Sequence, residues 1–176
     1  MSPIDSLTQL PAPSITLALG GLTTAYVFFG NITDTQRGLI AYLNGRLTPI
    51  KLGDKDRAKV WFGYYDPAHE WVITVSLISS ILNLSTSYTH KSNLISKLTL
   101  TSGITSILIV PYTFGVRLPL INSRLIELSK DSTEHRNENE AKTLIEIWEK
   151  KHLVRMVFYA GAWITSFAAI VLDGRI

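Results

Sequence analysis

Four stretches of this 176-residue chain contain no Asp, Glu, Lys or Arg, and they constrain the fold more than any other feature. They lie between Asp5 and Asp34, between Glu70 and Lys91, between Lys97 and Arg117, and between Arg155 and Asp173. A membrane-spanning helix needs about 20 mostly apolar residues to cross roughly 30 Å of hydrocarbon, and each window is about that long. Composition alone decides less: charged residues make up 18% of the chain, against about 25% in an average soluble domain. The distribution of the charges carries the argument. It predicts an all-α integral membrane four-transmembrane-helix bundle, a single membrane domain over residues 1–176. The spans fall near residues 14–30, 71–88, 94–116 and 153–172. The first is read as a retained helix rather than a secretory signal, because Asp5 is the only charge before it and a signal carries a positive n-region.

Four spans put both termini and the short turn from Thr89 to Lys97 on one side. Lys91, Lys97 and Arg175 are there, three of the 17 basic residues; the other fourteen sit in or beside the two long loops. Short loops rich in Lys and Arg stay cytoplasmic, so the two long loops are expected in the cytoplasm and the termini in the lumen, with the endoplasmic reticulum as the membrane. The net charge of +3 gives no reason to expect nucleic acid, because the basic residues are interleaved with acids beside membrane ends. The chain has no cysteine, which removes disulfides, thiolate catalysis, iron–sulfur clusters and cysteine-ligated zinc together.

In the first long loop, Thr35 to Arg46 can form a short helix that Thr48-Pro49 and Gly53 break. Asp54 then reads as an N-cap, followed by Val60, Trp61, Tyr64 and Tyr65 at helical spacing. That aromatic face is expected on the membrane interface, where Trp and Tyr are favoured, and Asp66-Pro67 closes it. The third span contains Pro111, which removes a backbone donor and kinks a helix. Leu118 to Leu128 follows as an amphipathic segment headed by Pro119, and Ser129 to Glu140 is polar and turn-like. From Ala141 the chain can be helical to Leu172, longer than a span requires, so its first three turns project into the cytoplasm.

On that last helix, Trp148, His152, Arg155 and Tyr159 fall within roughly 60° of arc at 3.6 residues per turn. Glu146, Glu149 and Lys150 point away from this stripe, and Lys151 sits at its edge. Ionisable groups at the level where a helix enters a bilayer usually face the bundle interior and carry function. An Arg in that position also serves as an anchor that snorkels to headgroups, and spacing alone does not separate the two. Glu149 and His152 form a Glu-x-x-His pair, but a di-iron bundle needs a second such pair with further carboxylates. His69, His90 and His135 lie in unrelated loops without ligand spacing. No metal site is expected.

The pattern Trp148-x-x-x-His152-x-x-Arg155 resembles the anthrone oxygenase-like family of small four-helix membrane proteins. So does Pro111-Tyr112-Thr113 followed by Leu118-Pro119-x-x-Asn122-x-x-Leu125. The resemblance implies a fungal polyketide-pathway enzyme that oxidises an anthrone, an aromatic polyketide, to an anthraquinone with O2 and no cofactor. Such a reaction needs a base, a cation or donor for the enolate oxygen, and a flat apolar pocket. His152, which titrates near neutrality, would be the base and Arg155, with its permanent charge, would hold the oxyanion. Trp148, Tyr112 and Tyr159 would stack on the planar substrate and Asn122 would donate a hydrogen bond. The competing reading is a non-catalytic membrane scaffold or accessory subunit. Small residues at Gly21 and Ala25, and at Gly161, Thr165 and Ala169, would let a partner helix or a second copy of the chain approach closely; they are equally expected inside one bundle. A transporter is a weaker third reading, since the spans hold no acid pair and no two broken helices.

Overall fold

A computed structural model describes residues 11–49, 51–130 and 139–174. Its described secondary structure is entirely helical: α1 (Ala12–Arg37), α2 (Leu39–Leu43), α3 (Asp54–Thr89), α4 (Asn93–Gly115), α5 (Leu118–Lys130) and α6 (Glu140–Asp173). Among the described residues, four helical stretches are long and apolar enough to cross a membrane: Ala12–Leu43, Asp54–Thr89, Asn93–Gly115 and Glu140–Asp173. Three of them contain an expected span whole, and Asn93–Gly115 contains all of 94–116 but Val116. At a rise of 1.5 Å per residue, the 36 residues of α3 and 34 of α6 reach roughly 50 Å, well beyond a hydrocarbon layer of roughly 30 Å. Most of the expected Ser129–Glu140 turn, with His135, lies outside the described residues; Ser129 and Lys130 still belong to α5.

The chain divides into two compact units. The first comprises the described parts of Met1–Phe28, Thr74–Leu108 and Phe158–Ile176. Its interior is rich in polar side chains: Ser79, Asn83, Thr86, Thr99, Ser102 and Ser166 are all buried beside a small apolar cluster of Leu17, Ile95 and Ala169, while Leu22, Ile81, Ile104 and Ile164 face outward. Lipid is as apolar as leucine, so membrane helices associate through close packing and interhelical hydrogen bonds. Ser80 Oγ donates to the Gly103 carbonyl at 2.9 Å, Ser102 Oγ to the Ala162 carbonyl at 2.8 Å, and Ser166 Oγ to Asn83 Oδ1 at 3.1 Å. Gly20 lies against Asn83, whose Nδ2 would stand 2.8 Å from an added Cβ. Gly21 faces Ile170 in the same way, and Ala169 is fully buried. These small residues are therefore used in packing the unit's own helices.

The second unit, Phe29–Ile73 and Ile109–Val157, has the reverse pattern. Ile40, Leu43, Ala58, Trp61, Leu118, Leu125, Leu128, Ala141, Ile145 and Trp148 form one buried apolar cluster, which is the interior that water drives a chain to form. The two expected loops are thus largely helical and share a core. Several local expectations change accordingly. α2 ends before Gly45, which takes a left-handed conformation (φ 73°), with its N–H on Tyr42 O at 2.9 Å and that of Arg46 on Ala41 O at 3.0 Å. Gly45, rather than Thr48-Pro49, is the terminator. Asp66-Pro67 does not close a helix either, since α3 runs through Pro67. The carbonyl that Pro67 leaves without a donor belongs to Gly63, and both residues are exposed, so solvent can satisfy it.

Asp54 is not an N-cap of its own helix. Its Oδ2 accepts the backbone N–H of Ala141 at 3.1 Å, satisfying one of the donors that the first turn of α6 leaves without an intrahelical acceptor. The bidentate pair of Arg124 with Glu140, at 2.7 and 3.1 Å, secures the same end.

Candidate functional site

Two rows of rings lie in the second unit. On α3, Trp61, Tyr65 and His69 follow one another at every fourth residue and stack: Trp61 on Tyr65 with centroids 4.7 Å apart, Tyr65 on His69 at 4.8 Å. On α6, Trp148 stacks on His152 at 5.0 Å with the planes 6° apart, and the Arg155 guanidinium lies 5.6 Å from the Trp148 ring centroid. Spacings of four along α3, and of four then three along α6, make the rows, because residues three and four apart on a helix are neighbours on one face. Trp61 and Trp148 join them in an edge-to-face contact at 6.1 Å. The aromatic face of α3 is therefore a core face, with Trp61 0% exposed, and not an interfacial belt. The exposed aromatic residue of this stretch is Trp71, at 64%.

His152 is 5% exposed, and an Nη2 group of Arg155 contacts its Nδ1. A guanidinium only donates, so Nδ1 is the acceptor and the imidazole is neutral with its proton on Nε2. Arg155 is half-buried and turned along its own helix onto His152 and the Trp148 face. A guanidinium over an aromatic face gains about 0.5–1 kcal/mol where it is exposed and about 2 kcal/mol or more where it is desolvated.

Asn122, from α5, reaches the other row: its Nδ2 donates to the Tyr65 hydroxyl at 3.0 Å. Its Oδ1 is buried and has no hydrogen-bond partner among the described residues, and the same is true of Trp61 Nε1. Buried polar atoms are usually bonded, so each of these two atoms is one that a water or a ligand group could satisfy. Tyr112 donates to the Lys151 carbonyl at 3.2 Å, one residue before His152. Tyr159, buried one turn beyond Arg155, belongs to the first unit. Glu149 points away from the stripe and is engaged by Asn44 Nδ2 at 2.6 Å and by Arg46. Tyr64, beside the α3 row, donates to the Asp34 carboxylate.

Residues 61–165 match the family described as anthrone oxygenase. The chain belongs to the anthrone oxygenase family. No curated protein and no solved structure matches it. The stretch shared with anthrone oxygenases opens at Trp61 and takes in Tyr65, Tyr112, Asn122, Trp148, His152, Arg155 and Tyr159. Sequence reasoning missed Tyr65 and Trp61 as members of this cluster. Their regular spacing was visible; the helix they face was not.

Proposed function

We propose that this protein is a cofactor-independent oxygenase that converts a polyketide anthrone to the anthraquinone with molecular oxygen. The observation that carries the reading is the contact of Arg155 with His152 Nδ1 beneath the Trp148 ring. It brings a neutral imidazole, a permanent cation and a flat apolar surface together. In the resting protein the Nδ1 lone pair is occupied by Arg155. An anthrone whose carbonyl gains negative charge would draw the guanidinium to its oxygen and free Nδ1 as the base. Proton abstraction and oxyanion stabilisation are then coupled through one side chain.

The methylene of an anthrone, flanked by two aromatic rings and conjugated to the carbonyl, loses a proton to give an aromatic enolate. The enolate passes one electron to O2, and the resulting carbon radical and superoxide combine to form a C–O bond. Protonation gives the hydroperoxide. Loss of the second methylene proton breaks the O–O bond, leaving the quinone carbonyl and one water. One anthrone and one O2 yield one quinone and one water. Trp148 and Tyr112 would pack on the planar substrate, and Asn122 would hold a polar group of it. A substrate this apolar would enter from the bilayer or at its cytoplasmic face, in keeping with an endoplasmic-reticulum protein whose long loops are cytosolic.

The test is oxygen uptake by the purified protein in lipid nanodiscs with anthrone as substrate, after subtraction of oxidation in buffer. The expected result is one O2 consumed per quinone formed, at a rate proportional to protein. A rate equal to that of empty nanodiscs would overturn the reading.

A further inference from the structure

The Tyr65 hydroxyl accepts the Asn122 amide N–H at 3.0 Å, so its own proton points elsewhere, and it has no acceptor for that proton among the described residues. The ring is fixed between Trp61 and His69, and the residue is half-buried rather than sealed. Burial pushes the Tyr65 hydroxyl up, so it keeps its proton, while the Asn122 N–H and then the Arg155 charge act in the opposite sense. Asn122, which orients the hydroxyl, is 9% exposed and holds its second polar atom buried without a partner. A buried phenol stays protonated, and one whose proton is unengaged while an amide N–H already contacts its oxygen is placed to give that proton to a strongly basic acceptor such as a peroxide anion.

We propose that Tyr65 is a further catalytic residue, the general acid that protonates the peroxide; this rests on the oxygenase reading above. The chemistry requires such a group. A peroxide anion on the former methylene carbon cannot break its O–O bond directly, because the departing oxygen would leave as oxide. It reverts instead, by loss of superoxide or O2. Transfer of the Tyr65 proton to the terminal oxygen converts C–O–O⁻ to C–O–O–H without any change in electron count. The phenolate that remains is held by the Asn122 N–H and faces the Arg155 charge until solvent returns a proton. Base and acid then stand on different helices, His152 on α6 and Tyr65 on α3, and act on successive steps.

Tyr65→Phe tests this, because it removes the hydroxyl and keeps the ring stack. Two measurements are made with anthrone in nanodiscs. Under anaerobic conditions in deuterated water, exchange of the methylene hydrogens reports proton abstraction without oxygen chemistry. In air, quinone formation reports the whole sequence. The variant is expected to exchange within about twofold of the wild type while forming quinone on the order of 10²-fold more slowly, the usual range for loss of an acid–base group. The oxygen it consumes should appear partly as superoxide. Quinone formation at the wild-type rate would overturn the proposal. So would parallel loss of exchange and quinone formation, which would make Tyr65 part of the general architecture. A wild type that neither exchanges nor forms quinone above background overturns the parent reading instead.

Discussion

Trp61 and Trp148 meet edge to face, with ring centroids 6.1 Å apart and planes at 82°. One contact thereby links a row ending at His69 to a row ending at Arg155. The stripe on α6 is half of an assembly whose other half is contributed by α3. Aromatic pairs in this geometry are worth about 0.5–1.5 kcal/mol beyond the area they bury, so the joint is structural as well as spatial.

The His152–Arg155 pair separates a catalytic stripe from an anchoring one. His152→Ala should lower the anthrone oxidation rate by about 10²–10⁴-fold, with membrane insertion unchanged. Arg155→Lys should be comparably damaging, because a compact ammonium does not reproduce the planar fork of donors that reaches Nδ1 while its charge lies over Trp148. An anchor would accept Lys almost silently. Lys150→Ala, an exposed change on the same helix, is the control in the oxygen-uptake assay.

Two tryptophans on one helix should respond oppositely to truncation. Trp61→Ala removes a fully buried ring and should cost about 3–5 kcal/mol, visible as lost thermal stability in detergent and poor expression. Trp71→Ala removes an exposed one and should stay within about 0.5 kcal/mol. Equal effects would mean that Trp61 is not in a core.

Asp54→Ala should destabilise the protein by about 1 kcal/mol, the usual worth of a capping carboxylate. Asp54→Asn keeps an acceptor oxygen for the Ala141 N–H and should lose less. The expected readout is a lowered unfolding midpoint for Ala, an intermediate one for Asn, and unchanged activity per folded molecule.

Topology can be tested without any background reaction, because the chain contains no cysteine. Single cysteines at Gly53 and Lys91, both exposed, should react differently with an impermeant maleimide applied to sealed microsomes. Gly53→Cys should label and Lys91→Cys should label only after detergent is added. The chain also has two glycosylation sequons, Asn31-Ile32-Thr33 and Asn83-Leu84-Ser85, but they are poorer reporters, since both asparagine side chains are buried.

The four spans were legible in the sequence because hydrocarbon penalises charge wherever it occurs, so a window free of charge needs no knowledge of its neighbours. The second unit was not legible in the same way. An aromatic stripe at helical spacing looks identical whether it meets headgroups or another helix, and Trp61, Tyr64 and Tyr65 pack against the apolar core instead of the headgroups. Asp54 failed for a related reason: cap patterns are read over three or four residues, whereas its donor is 87 residues away. Asp66-Pro67 reads as a stop in the sequence because the exposure of Gly63, one turn earlier, is a tertiary fact. The common face of Trp148, His152 and Arg155 was readable because it depends on one helix alone. Tyr65 entered only once Asn122 was seen to touch it.

The separation of Asp54 from Ala141 also bears on how the molecule is made. A ribosome finishes the α3 row of rings long before it reaches the residues that pair with it. During that interval Trp61 has no Trp148 to meet, and Asp54 has no amide to bind. Only release of the final helix completes the half of the chain that holds His152. A chain truncated before Glu140 would keep three of its four membrane crossings and still present an uncovered tryptophan, the kind of surface by which chaperones and proteases distinguish an unfinished protein from a finished one.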